Sequence, residues 1–177
     1  MTWRTDDSRV VYSNPWITVR EDAVTGPAGP GVYGVVVMRH PAVFVVALDA
    51  DERVCLVTLE RYTTGRSIEV PAGGSDGEDP LAAARRELRE ETGLEADEWE
   101  DLGRMNALNG VTEAPEHVFL ARGLRAVGGD AQAEEGIEEV SWEPFGDVLA
   151  MIADGRITDG ETIAAIAYAG IRLGRFR

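Results

Sequence analysis

Glu87, Glu90 and Glu91 stand at i, i+3 and i+4, so on a helix their carboxylates share one face. Like charges at this spacing cost an isolated helix about 0.2–0.5 kcal/mol per pair. Arg85, Arg86 and Arg89, interleaved with the glutamates, relieve part of that cost. A salt-bridged surface helix has the same composition, so the carboxylates alone do not define a site. Two neighbouring features go further. The run Gly73-Gly74-Ser75-Asp76-Gly77 precedes the segment, giving a backbone that can approach a ligand closely. Leu81, Ala84 and Leu88 form an opposite face able to pack on a sheet. Carboxylates, carbonyls and water are the hard oxygen ligands that Mg²⁺ or Mn²⁺ prefers.

The overall charge makes such a cation necessary for phosphate chemistry. A formal net charge of −15 repels nucleic acid and anionic membranes, which argues against either as a partner. It repels phosphorylated small molecules too, unless metal ions or well-placed arginines intervene. With 177 residues, 44% of them hydrophobic and 28% charged, the chain suits one globular domain with a sizeable core. The longest apolar runs, such as Ala42 to Leu48, are strand-sized, and the N-terminus lacks the basic and apolar regions of a signal peptide. The single cysteine, Cys55, lies in a strand-like run and reads as a small buried residue in a reducing cytoplasm.

Several elements must position the acidic segment. Val10 to Tyr12, Trp16 to Val19, Tyr33 to Met38 and Val43 to Leu48 are β-branched or aromatic runs, cut by Asn14-Pro15, Gly26 to Gly31 and His40-Pro41. Asp49 to Glu52 predicts a turn into a strand from Arg53 to Leu59, together a hairpin. Asp79 as N-cap, Pro80 in the first turn and Gly93 at the end predict the helix that carries the glutamates. Strands resume at Leu102 to Leu108, Val118 to Leu120 and Val140 to Trp142. Two helices follow, one with Phe145, Val148, Leu149 and Ile152, the other starting from a Thr158/Glu161 capping box. Gly128 to Gly136 is a glycine-rich acidic loop.

The stretch Gly73-Gly74-Ser75-Asp76-Gly77-Glu78 through Arg86-Glu87-Leu88-Arg89-Glu90-Glu91-Thr92-Gly93-Leu94 resembles the Nudix box, G-x5-E-x7-R-E-U-x-E-E-x-G-U with U apolar. Every defined position from Glu78 onward matches; the departure is one missing residue between Gly73 and Glu78. The resemblance implies an α/β fold, an α/β/α sandwich with a mixed sheet, and hydrolysis of a diphosphate bond with Mg²⁺ or Mn²⁺. It implies Glu87 and Glu91 as metal ligands, Glu90 as a ligand or water contact, the Ala72 carbonyl as a further ligand, and Glu78 with Arg86 as a brace.

Nearly the whole chain is similar to the ADP-ribose pyrophosphatase-like subgroup. Val11 to Ile17 resembles its dimerising N-terminal region, and Glu69-Val70-Pro71-Ala72-Gly73 its approach to the box. On that basis residues 1–40 are an N-terminal antiparallel strand layer, dimerising and part of one unit with a hydrolase domain at 41–177. Arg61, Glu69 and Gly73 are the implied substrate contacts, and a loop glutamate, Glu135 or its neighbour Glu134, the implied general base. Where enzymes acting on ADP-ribose commonly carry Ser-Pro-Gly, this chain has Leu108-Asn109-Gly110. The expected substrate is ADP-ribose or another nucleoside diphosphate sugar. The alternatives are a nucleoside triphosphate or dinucleotide, or a non-catalytic nucleotide-sugar sensor of the same fold. A homodimer is the expected assembly.

Overall fold

Side-chain alternation along the central strands sets the layers. The computed structural model describes residues 2–128, 132 and 135–176. Its N-terminal strands are β1 (Arg4–Ser13), β2 (Ile17–Gly26) and β3 (Gly29–Met38), followed by β4 (Ala42–Ala47), β5 (Arg53–Arg61), β6 (Gly65–Glu69) and β7 (Ala72–Gly74). Helix α1 (Pro80–Thr92) leads to β8 (Leu94–Asn106), β9 (Thr112–Glu113), β10 (Pro115–Ala126) and β11 (Ile137–Pro144). Helices α2 (Phe145–Ala153) and α3 (Gly160–Arg172) close the chain.

Val43, Val45 and Ala47 of β4, with Phe119 and Ala121 of β10, pack beneath Ala83, Ala84 and Leu88 of α1. Phe44, Val46 and Leu48, with Val118 and Leu120, face the other way onto Phe145, Val148, Met151, Ala165, Ile166 and Ala169. One two-residue period thus separates two cores, and the result is an α/β/α arrangement with helices on both faces. The mixed sheet runs β7-β4-β10-β8, with β4 and β10 parallel and the other pairs antiparallel. A second sheet, β11-β5-β6, is antiparallel.

The expected hairpin of β4 with β5 does not form. Only the bridge Leu48↔Val54 joins them, after a turn in which Glu52 takes φ 58°, and the two strands then diverge into different sheets. Both are buried on both faces, so each needs neighbours of its own rather than a shared solvent-facing side. The last helix starts one residue later than predicted: Asp159, not Thr158, is the N-cap, accepting from the Thr162 amide at 2.7 Å. An ionised carboxylate is the stronger acceptor for that amide. Cys55 is fully buried, and burial pushes its thiol up to about 12. Among the described residues, no helix is long and apolar enough to cross a membrane.

The third sheet, β1-β2-β3-β9, ties the N-terminal strands to the loop before β10. Arg20 bridges Asp22 and Glu113, Tyr33 donates to the Gly110 carbonyl, and the Val36 amide donates to Val111 O at 2.9 Å.

Helix α1 begins and ends as its sequence predicts. Asp79 accepts from the Leu81 and Ala82 amides, and Gly93 closes the helix at φ 68°. Asp79→Ala should cost about 1 kcal/mol, whereas Leu88→Ala, which opens a cavity under the helix, should cost about 2–5 kcal/mol. Urea denaturation of the two variants measures both; equal losses would mean that the cap, not packing, governs α1.

Candidate active site

The acidic helix buries two of its three glutamates. Glu87 and Glu91 are only 6% and 5% exposed, while Glu90 lies half-buried at the edge. Strand β7 runs alongside them because its glycines leave room. A Cβ at Gly73 would overlap the Glu87 carboxylate, so only glycine allows this approach. The Ala72 amide donates to Glu91 Oε2 at 2.9 Å.

Arg86 gathers the rest. Its Nη1 donates to Glu87 Oε1 at 2.7 Å and to Glu90 Oε2 at 2.9 Å, its Nε to Glu78 Oε2 at 3.2 Å, and its Nη2 to the Gly74 carbonyl at 2.8 Å. The expected Glu78–Arg86 brace therefore forms although the loop is one residue short. The economy is made in the turn Ser75–Glu78, where Asp76 and Gly77 both take positive φ, 50° and 82°, and Glu78 N donates to Ser75 O at 2.8 Å. Two successive left-handed residues are the tight hairpin geometry that Asp-Gly favours.

Burial dominates the electrostatics. It pushes Glu91 up to about 8, against the Ala72 amide that donates to it, with Glu87 adding repulsion. Burial also raises Glu87, opposed by Arg86, while Glu90 and Glu135 push it further. Burial works against the Arg86 charge, but Glu90, Glu87 and Glu78 outweigh it and hold the guanidinium charged. Among the described residues, no three His, Cys, Asp or Glu side chains are grouped so as to hold a metal ion as they stand. Arg86 instead supplies the positive charge between Glu87 and Glu90. Carboxylate oxygens set beside a backbone without a side chain are the hard donors that a divalent cation takes.

Arg61, at the end of β5, forms a two-pronged pair with buried Glu69: Nε to Oε1 at 3.0 Å and Nη2 to Oε2 at 2.6 Å. Both belong to a cleft of about 480 Å³ that also includes Phe44, Glu116, Asp159 and Glu161. Their charges reach Glu91, joining this cleft electrostatically to the acidic helix. A larger hollow of about 730 Å³ lies along Arg85, Arg86, Arg89 and Asp97. It takes in Glu90, whereas the smaller cleft includes none of the three helix glutamates and is linked to Glu91 through the charges of Arg61 and Glu69. Glu135 is exposed, and its charge is felt at Glu87; Glu134 lies outside the described residues.

The cleft also contains acidic groups that the motif does not include. Glu116, on β10, is 6% exposed, and burial pushes it up to about 7, with Glu161 and Asp159 adding to the rise. Its position was legible in principle: by strand alternation Glu116 shares the inward face of Val118 and Leu120, an acidic residue where an apolar one belongs. Glu161 has no such signal, since at a helix start it reads as a capping residue.

The Nudix domain matches residues 38–166, and a nucleoside diphosphate sugar hydrolase N-terminal domain matches residues 3–36. The chain belongs to the Nudix family of hydrolases. It is 36% identical over 173 residues, 96% of this chain and 81% of the relative, to the ADP-ribose pyrophosphatase of Mycobacterium tuberculosis. It is 30% identical over 174 residues, 97% of this chain and 84% of the relative, to the CMP-5'-(N-acetyl-N-hydroxy-3-aminopropyl)phosphonate hydrolase of Streptomyces rubellomurinus. A crystal structure of an ADP compounds hydrolase has the same fold, with a TM-score of 0.84 at 20% identity, covering 100% of this chain and 97% of that one. Nudix hydrolases generally use divalent metal ions.

Gly73→Ala is the sharpest probe of this geometry. It should leave the melting temperature within a few degrees while lowering hydrolysis by about a hundredfold, because the Glu87 carboxylate is displaced from its place against β7. Near-normal hydrolysis in Gly73→Ala would show that Glu87 need not lie against β7.

Proposed function

We propose that the chain hydrolyses the diphosphate of a nucleoside diphosphate sugar, ADP-ribose or a close analogue, to a nucleoside monophosphate and a sugar phosphate. The observation that supports it most is the pair of buried carboxylates, Glu87 and Glu91, with Glu91 sensing the charges of the Arg61–Glu69 pair of the cleft. The match of residues 3–36 to the N-terminal domain of nucleoside diphosphate sugar hydrolases, and the likeness to an ADP-ribose pyrophosphatase, favour this substrate class over nucleoside triphosphates and dinucleotides.

In this reading Glu87, Glu90, Glu91 and the Ala72 carbonyl hold Mg²⁺ or Mn²⁺. When bound there, the ion would supply charge neutralisation for the diphosphate and a lowered pKa for a water. Arg86 keeps Glu87 and Glu90 at a fixed spacing, and Glu78 anchors Arg86. Arg61, pinned by Glu69, retains donors for a phosphate oxygen, and the bare backbone at Gly73 lets the substrate approach. Glu135 takes the proton of the attacking water, with Glu134 the neighbouring candidate. The chain acts in the cytoplasm.

Residues 1–40 serve as a dimerising layer of the same unit as residues 41–177. Every residue of β1 is exposed, and Val10, Tyr12, Trp16 and Val32 present large apolar surfaces to solvent. Light scattering at micromolar concentration should give twice the chain mass, and a monomer would remove this part of the proposal.

Glu135→Gln should lower turnover by about 10²–10⁴ with little change in KM, as for loss of a general base. Turnover of ADP-ribose with Mg²⁺ by Glu135→Gln and Glu134→Gln, measured side by side, checks the assignment. If Glu135→Gln keeps more than about a tenth of wild-type turnover, Glu135 is not the base; a large loss in Glu134→Gln instead moves the role by one residue.

A further inference from the structure

Glu116 has a role to find. Its Oε2 is buried without a hydrogen-bond partner among the described residues. An orphaned buried acceptor of this kind is retained at a cost to stability. The carboxyl lies on two adjoining cavities, the cleft with Arg61 and Glu69 and a more apolar hollow formed by Met105, Ala107, Leu108 and Ala164. Glu161 lies on both cavities as well. Leu108 holds left-handed backbone, φ 50°, with its side chain largely exposed at the rim. Such strain in a residue with a Cβ is common at ligand sites.

We propose that Glu116 and Glu161 bind an adjacent pair of hydrogen-bond donors on the part of the substrate outside the diphosphate. The proposal rests on the nucleotide-sugar reading above. Glu116, Asp159 and Glu161 place three carboxyls on this cleft, and they repel phosphate, which the remaining Arg61 donors would hold away from them. A carboxylate is an acceptor with two oxygens, so it matches donors on neighbouring atoms. The apolar wall of Met105, Ala107, Leu108 and Ala164 suits the flat side of a ring whose edge carries those donors. Vicinal hydroxyls of a sugar and the neighbouring N–H groups of a nucleobase share this chemistry. The carboxyl pair thereby selects substrate and sets its direction in the cleft, diphosphate toward α1 and neutral end toward α3.

The test is steady-state hydrolysis, with Mg²⁺, by wild type, Glu116→Gln, Glu116→Leu and Glu161→Gln. ADP-, GDP- and UDP-glucose vary the base, and ADP-ribose, ADP-glucose and ADP-2-deoxyglucose vary the sugar. In the variants KM should rise about tenfold or more, with a smaller change in kcat, as for loss of a charge-assisted hydrogen bond used in binding. A rise shared by all three bases and absent with the 2-deoxy sugar assigns the donors to the sugar. A rise that follows the base assigns them to the base. The melting temperature of Glu116→Leu should equal or exceed that of wild type, since an unpaired buried carboxyl is replaced by an apolar group. A lower melting temperature would show that Glu116 has a structural partner, and would overturn the proposal. So would a KM within twofold of wild type across the panel in Glu116→Gln and Glu161→Gln. If wild type hydrolyses none of these compounds, the nucleotide-sugar reading itself fails, and this site fails with it.

Discussion

Burying carboxylates side by side is the constraint around which this molecule is built. Glu87 and Glu91 are removed from water on the side of α1 that meets β7, a placement that a folded chain tolerates only with compensation. The compensation is specific: the Ala72 amide for Glu91, and Arg86 for Glu87. Arg86 reaches its partners because Glu78 and the Gly74 carbonyl hold its other nitrogens. The two-faced packing of β4 and β10 then fixes how far α1 stands from β7. Each layer of the fold therefore contributes to a few ångströms of carboxylate spacing.

The rest of the cleft is organised by charge in a protein that is acidic overall. One cation, Arg61, is held at the cleft by a buried partner, and the carboxyls of Glu116, Asp159 and Glu161 occupy the same space. An anionic substrate meets repulsion from the surface and from these carboxyls, and in the proposed reading Arg61 and a metal at α1 supply the attraction. On that proposal hydrolysis depends on the cation not only for chemistry but for binding. The N-terminal sheet enters this picture through Arg20–Glu113 and Tyr33–Gly110, which brace the loop that forms the apolar hollow.

Much of this was legible in the sequence because it follows from local rules. The Asp79 cap, the Gly93 stop and the i, i+3, i+4 glutamates are short-range features, and α1 obeys them. The layered fold was legible through family resemblance. What local patterning missed were consequences of tertiary neighbours. Strands β4 and β5 look like a hairpin in isolation, yet each is buried on both faces and takes partners from distant segments. The shortened glycine loop could not be judged before the Asp76-Gly77 turn was seen to absorb the missing residue. Glu161 looked like half of a capping box because the sequence does not show that Asp159 caps the helix while Glu161 turns to the cleft. The roles of Arg61, Glu69, Glu134 and Glu135 came from the family pattern; the fold gives positions for Arg61, Glu69 and Glu135, and Glu134 lies outside the described residues.

In the proposed reading the buried face of α1 holds the divalent cation. Counting bound Mn²⁺ by the loss of its free-ion electron paramagnetic resonance signal tests it without any substrate. Wild type should bind Mn²⁺, and Glu87→Gln/Glu91→Gln should bind it at least about tenfold more weakly, as expected on losing metal-binding groups. Equal Mn²⁺ binding by wild type and the folded double variant would contradict the account.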